Sequence, residues 1–444
     1  MRKTLILITL SLGVTAVIFL YSLKQPLRNG DKAQTWEQVT NLYLEKISTL
    51  ACLLLTAPPS LSQDNSSPTL DNKQLSNEPL QKVPTPASAK RCQPHNLGWD
   101  EQLWGDFGQP GDKEALLRSI DYSLRYLQTS EAAEAYQEYP VDGITRDRIF
   151  RSLLRFRQLV LSSSSAAELE AAVKREFVFY QSIGGDGRGT VLFTAYYEPI
   201  YAASRVPTAE YRYPIYRRPP DLSSWPRPHP TRKELEGIDG LQGSKGQLRG
   251  LELFWLRSRL DAYIAQIQGS ARLMLTDGTQ TSVNYADNTA YDYTSIGREL
   301  VRDGKFPLEG LTMPVILRYF SEHPAELNNY VPRDRSFVFF QENHGAPAQG
   351  SIHVPLTASR SIATDKSLMP PGALALIRAP IPFRNPNGVM ENRTVSRYVL
   401  DQDTGGAIKG PGRVDYFLGS GYEAGERAGV TVADGQLFYL LLKQ

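Results

Sequence analysis

Cysteine is nearly absent from this chain: two residues, Cys52 and Cys92, in 444. That excludes a disulfide-stapled scaffold and a cysteine-based zinc site. Histidine is scarce as well. His95, His229, His323, His344 and His353 form no H-x-H or H-E-x-x-H pair, which argues against a metalloprotease-type centre. An excess of one charge is also missing: 49 Lys plus Arg meet 47 Asp plus Glu, leaving +2. No whole-chain positive field draws the protein to nucleic acid. There is no P-loop, and the run Gly184 to Gly189 does not fit the dinucleotide fingerprint; it reads as a hairpin loop. No metal or organic cofactor is expected.

The composition is otherwise that of a globular protein, 41% hydrophobic and 22% charged. Thirty Pro, 34 Gly and 23 Tyr lean toward loops, turns and β-structure rather than a helical bundle. Arg2 and Lys3 precede an almost unbroken apolar run from Leu5 to Leu20. Residues 1–24 therefore read as an uncleaved membrane anchor, with a cleaved signal as the alternative. The positive-inside rule leaves everything after the run outside the cytoplasm. Thr49-Leu50-Ala51-Cys52 distantly resembles a lipoprotein box, so lipidation at Cys52 is a third option. Residues 25–97 read as a flexible linker, because the Pro-, Ser-, Gln- and Asn-rich stretch within them buries too little apolar surface to offset chain entropy.

The body opens with helical periodicity over 112–183, carried by Leu116, Leu117, Ile120, Leu124 and Leu127 and again by Ile149, Leu153, Leu154 and Leu161. Ser165 to Glu168 resembles a capping box ahead of a helix ending near Tyr180. After residue 188 the pattern changes to strands. Candidates are 190–197, 212–216, 272–276, 336–340, 373–378, 396–402, 413–418 and 436–442, with helices at 312–322 and 423–429. The fold class is mainly β with an α-helical preface.

Three late segments look unlike scaffold: Ile362 to Asp365, Leu400 to Gly410, and Arg413 to Gly421. Asp403 falls at a strand end before a Gly-Gly turn, where backbone can approach a ligand closely. Asp415 lies inside an apolar strand, between Val414 and Tyr416. Desolvation there is expected to favour its neutral form, and an ionised Asp403 nearby would add to that. A carboxylic acid kept protonated can donate to a glycosidic oxygen. Taken singly, each Asp reads more readily as a turn or surface carboxylate. A second group, Thr194 to Pro199, Gln266 to Arg272 and Tyr293 to Arg298, carries the aromatic, hydroxyl, amide and guanidinium groups that a sugar-binding groove uses, and reads as readily as strand-edge tyrosines and surface amides.

The ordered motifs FTAYYEP (193–199), PIYRRPPDL (214–222), IQGSARL (267–273), YTSIGREL (293–300), SFVFF (336–340), VPLTASRSIATD (354–365), DTGGAIKG (403–410) and VDYFLGSGYEAGERAG (414–429) resemble the MltA family of lytic murein transglycosylases, with its 3D domain. The resemblance spans roughly residues 98–444. It implies a double-psi β-barrel with a second, smaller β-domain inserted: barrel first part 98–199, inserted domain 200–345, barrel second part and catalytic 3D domain 346–444. It also implies that Asp415 is the catalytic acid, that Asp403 assists it, and that Asp365, Thr194, Tyr196, Glu198, Gln268 and Arg272 line the substrate site. Ala271 stands where the family pattern has Gly. The implied reaction cuts the β-1,4 bond between N-acetylmuramic acid and N-acetylglucosamine in peptidoglycan, forming a 1,6-anhydro product in the cell envelope. Two alternatives remain open: a glycan hydrolase using both Asp and water, and a non-catalytic wall-binding module.

Overall fold

The computed structural model describes residues 78–83, 97–105, 110–385 and 387–444. The expected anchor, most of the linker, Cys52 and Cys92 lie outside the described residues. One short piece inside the expected linker is a strand, β1 (Leu80–Lys82), which pairs antiparallel with the strand at Phe177–Ser182 and buries Leu80.

Among the described residues, a short 3-10 helix (Glu101–Trp104) and four α-helices precede the main strands: α1 (Lys113–Tyr126), α2 (Ser130–Ala135), α3 (Arg146–Ser162) and α4 (Ala166–Glu176). The apolar stripe read from the sequence is buried at Leu116, Ile120, Leu124, Leu127, Ile149 and Leu153, whereas Leu154 and Leu161 of α3 are exposed. Leu116, Ile120, Ile149 and Leu153 are each at most 1% exposed, and burying each contributes about 1.5–3 kcal/mol. Only half of the expected capping box is present at α4. Ser165 accepts the Glu168 N–H, but the Glu168 carboxylate turns to Ser164. The helix also stops at Glu176, not near Tyr180. Phe177–Ser182 is strand β2, because its backbone pairs with the C-terminal strand, an interaction no local periodicity encodes.

The main sheet continues with β3 (Val191–Glu198) and then passes to a second sheet. That sheet contains β4 (Ile200–Ser204), β5 (Tyr213–Tyr216), β6 (Glu252–Leu256), β7 (Ser270–Leu275), β8 (Gln280–Asn288) and β9 (Val338–Glu342), in the order β5-β6-β4-β7-β8-β9. The helices α5 (Arg232–Glu236), α6 (Arg259–Gln268), α7 (Ile296–Arg302), α8 (Met313–Glu322) and α9 (Leu327–Tyr330) interrupt it. The chain then returns to the first sheet through β10 (Ser361–Ala363), β11 (Leu374–Arg384), β12 (Met390–Asp403), β13 (Arg413–Ser420), α10 (Tyr422–Val430) and β14 (Val432–Leu442).

Six strands run β14-β11-β12-β10-β13-β3, and β3 pairs back onto β14, closing a barrel. Closure leaves no open edge among the six. Two pairings, β10–β12 and β13–β3, are parallel; the others around the ring are antiparallel. Ile362, Val414, Tyr416, Phe193 and Leu437 fill the same core as the preface helices. Only Pro199 separates β3 from β4, so one chain segment serves both sheets.

Candidate active site

Register builds the site. Ala363 of β10 faces Asp403 of β12 on one side and Asp415 of β13 on the other. Asp415 faces Thr194 of β3, and Thr194 faces Val432 of β14. These five residues form one row across the barrel wall. Facing residues on neighbouring strands point the same way, and each strand step is about 4.8 Å. The two aspartates therefore stand about 10 Å apart at the backbone. The β10–β12 pairing skips Gln402, passing from Ile362–Asp401 to Ala363–Asp403. Such an irregularity re-aims the next side chain. Here it leaves Gln402 buried against α1, where its amide donates to the Ser119 carbonyl.

Alternation does the rest. Phe193, Val414 and Tyr416 point into the core, while Thr194, Tyr196, Arg413, Asp415 and Phe417 share the opposite face. The Tyr196 and Phe417 rings lie 5.2 Å apart on it. The Thr194 hydroxyl donates to Asp415 Oδ1. Arg413 Nε lies 3.4 Å from the same oxygen, and Arg413 Nη2 donates to the Thr194 hydroxyl oxygen at 3.3 Å. Asp415 Oδ2 has no hydrogen bond among the described residues, and its side chain is 20% exposed.

Asp403 is occupied differently. Oδ2 accepts the Tyr196 hydroxyl at 2.7 Å; Oδ1 accepts the Ser351 and Thr404 N–H groups at 2.9 and 2.8 Å. Burial pushes its carboxyl above the usual range, against the opposing pull of these donors and of Lys366. Lys366 itself is pinned between the buried Asp401 carboxylate and the Asp403 carbonyl. Asp365 stands apart from the row. It accepts from the Ser367 hydroxyl at 2.6 Å and the Gly410 N–H at 2.7 Å, clasping the turn after β10 to the loop before β13. Partial burial would raise its carboxyl, but the Ser367 and Gly410 donors and Lys409 leave it below the ordinary value.

The remaining sequence candidates lie where the sheets meet. Glu198 is fully buried, and its Oε2 accepts Arg272 Nε at 2.7 Å and the Ser420 hydroxyl. Its Oε1 has no hydrogen-bond partner among the described residues. Gln268 accepts the Tyr197 N–H at 3.0 Å, and the Arg272 N–H donates to the Pro199 carbonyl at 2.8 Å. Glu198, Gln268 and Arg272 thus join β3 to α6 and β7. Arg272→Leu strands the buried Glu198 carboxylate. We expect a loss of about 2 kcal/mol, below the cost of breaking a fully buried pair because the Arg272 side chain is 34% exposed. Urea unfolding checks this, and an unchanged midpoint refutes it.

The expectation that apolar strand neighbours surround the Asp415 carboxyl is corrected here. The apolar neighbours Val414 and Tyr416 face away from Asp415, whose own face carries Thr194 and Arg413. Burial holds Asp403 toward its neutral form. Sequence reasoning missed Arg413, Ser351 and Lys366. Only Arg413 left a signal: it sits two residues before Asp415, hence on the same face of one strand.

Comparison with known proteins fits this geometry. Residues 192–341 match the MltA specific insert domain, and residues 360–441 match the 3D domain. Membrane-bound lytic murein transglycosylase A of Escherichia coli (strain K12) is 34% identical over 252 residues, 56% of this chain and 65% of the relative. The match therefore spans just under two thirds of that protein's length. The same-named Vibrio cholerae protein is 32% identical over 59% of this chain and 68% of its own. Among solved structures, E. coli MltA with bound chitohexaose superposes with a TM-score of 0.62 at 25% identity, covering 85% of this chain and all of that one. A membrane-bound lytic murein transglycosylase from Agrobacterium tumefaciens superposes with a TM-score of 0.61 at 29% identity, covering 74% and 93%. With both domains matched in order, and with the barrel and second sheet in place, the chain belongs to the MltA family of membrane-bound lytic murein transglycosylases.

Proposed function

We propose that this protein is a peptidoglycan lytic transglycosylase whose single acid and base is Asp415. The observation that carries the reading is the division of labour within that carboxyl group. Oδ1 is held by Thr194 and Arg413, while Oδ2 has no hydrogen bond among the described residues and lies on a partly exposed face. The names of the relatives and the chitohexaose held by the E. coli structure support a glycan as the ligand.

On this reading Oδ2 carries the proton to the glycosidic oxygen between N-acetylmuramic acid and N-acetylglucosamine. The resulting carboxylate then takes the proton of the muramyl C6 hydroxyl as that oxygen attacks C1. The ring closes to a 1,6-anhydro product, and Asp415 is protonated again. Being tethered, the C6 hydroxyl competes well against water. A hydrolase needs a second carboxylate to activate water. Asp403 is poorly suited to that, because three donors already occupy its oxygens.

The domain division 98–199, 200–345 and 346–444 belongs to the same proposal, supported by the confinement of the second sheet to Ile200–Glu342. So does a place in the cell envelope on the periplasmic side, at a membrane, supported by the relatives' names. Among the described residues no helix is long and apolar enough to cross a membrane, and residues 1–24 lie outside them.

Mass spectrometry of fragments released from purified peptidoglycan tests the reaction. Fragments lighter by one water than hydrolytic products are expected. Reducing ends would identify a hydrolase, and bound but uncut glycan would identify a binding module.

A further inference from the structure

We propose that Arg413 is a specificity-determining residue that reads the free lactyl carboxylate of the muramyl sugar. The protein would then favour glycan strands stripped of their peptides. This inference rests on the transglycosylase reading and names the form of substrate it prefers.

The geometry begins with the strand. Arg413 and Asp415 share a face of β13, about 6.6 Å apart along the backbone. That spacing brings a group held by one within a single sugar residue of the other. The Arg413 backbone is tightly held: a Cβ on Gly412 would collide with the Gly185 backbone, and the Gly412 carbonyl accepts the Leu192 N–H at 2.8 Å. The loop between β2 and β3 thus locks the start of β13 in place.

The guanidinium is only partly used. Nε and Nη2 point at Asp415 and Thr194 at 3.4 and 3.3 Å, both long contacts, and Nη1 has no hydrogen bond among the described residues. The side chain is 27% exposed, and among the described residues its ion-pair partner is Asp415 itself. Guanidinium presents a planar fork suited to a carboxylate, and the Nη1–Nη2 edge is the open one here.

Catalysis makes that edge matter. To act as an acid, Asp415 must carry a proton, and it then ceases to be the counter-ion of Arg413. A cation left without its anion on a partly buried face is unfavourable unless the substrate supplies one. Muramyl sugar carries a lactyl ether at C3. Where the stem peptide has been removed, that group ends in a carboxylate; where the peptide remains, it ends in a neutral amide. Only the free acid restores the charge balance around protonated Asp415. Binding of the carboxylate at Arg413 and protonation of Asp415 therefore favour each other.

The test uses the full chain and two substrates: peptide-free glycan strands, and the same strands with their lactyl carboxylates converted to methyl amides. The readout is the ratio of kcat/KM for acid over amide strands, which cancels any general loss of activity in a variant. Wild type is expected to favour the acid strands by about tenfold, the worth of one charge-assisted contact. In Arg413→Gln the ratio should fall to near one, and Arg413→Lys should keep an intermediate preference. Cleavage of both strands with the same ratio in wild type and Arg413→Gln overturns this inference alone. Failure of the wild type to cut either strand overturns the transglycosylase reading and this inference with it.

Discussion

Asp415→Asn should lower glycan cleavage by about a thousandfold, the middle of the range for removing a general acid, while leaving the protein folded. Asparagine keeps the size of the side chain and an oxygen to accept from Thr194 and Arg413, but it has no proton to give. The stability cost should stay below about 1 kcal/mol, because the ion pair lost is a 3.4 Å contact with both side chains partly exposed. Asp403→Asn makes the contrast. Its one oxygen can keep the Ser351 and Thr404 N–H groups while its amide donates to the Tyr196 hydroxyl oxygen in place of accepting from it, so the loss should be about tenfold and indirect. Steady-state rates on purified peptidoglycan, with circular dichroism as the control for folding, decide between them. Retention of more than a tenth of wild-type activity by Asp415→Asn would move the acid elsewhere. Asp403, which burial already biases toward its neutral form, would be the next place to look.

Much of this site was legible in the chain before any coordinates. Two-residue alternation puts Thr194, Tyr196 and Glu198 on one side of a strand and Arg413, Asp415 and Phe417 on one side of another. The preface helices were legible too, since apolar residues recur at helical spacing and most of them face the core, with Leu154 and Leu161 exposed. What could not be read was which strand lies beside which. Thr194 and Asp415 are 221 residues apart, and their parallel register depends on closure of the whole barrel. The boundary at Phe177 failed for the same reason, because pairing with β14 ends α4, with no local stop signal.

Buried charge was hidden in the same way. No local pattern singles out Asp401 or Lys366. Asp401 is in fact fully buried, taking the Lys366 ammonium, the Thr364 hydroxyl at 2.7 Å and the Tyr439 hydroxyl at 2.6 Å. The skipped residue in β12 separates this inward Asp401 from the outward Asp403, two positions later. No pattern in the string Leu400-Asp401-Gln402-Asp403 says which of the two carboxylates faces the ligand.

Arg360 carries the largest expected effect on stability. It is fully buried, as is Asp100, which accepts Arg360 Nη1 and caps the short helix at Glu101–Trp104. Arg360 Nε donates to Asp112 at 2.9 Å, and Nη1 also donates to the Tyr398 carbonyl at 2.8 Å. One guanidinium thus ties the segment ahead of α1 to the start of β10, the strand whose Ala363 separates Asp403 from Asp415. Arg360→Met fills similar space but leaves the Asp100 carboxylate buried without its cation. Breaking one side of such a pair costs about 3–5 kcal/mol. The urea midpoint should fall accordingly, with an unchanged slope if the denatured state is unaltered. Replacing both partners, Arg360→Met with Asp100→Leu, should recover part of the loss, because no charge is then stranded. If the single variant lost less than about 1 kcal/mol, the pair would not be holding the preface to the barrel. If the double variant were worse than the single, the Asp100 hydrogen bonds to the Gln102 and Tyr398 N–H groups, not the charge pair, would be what the site requires.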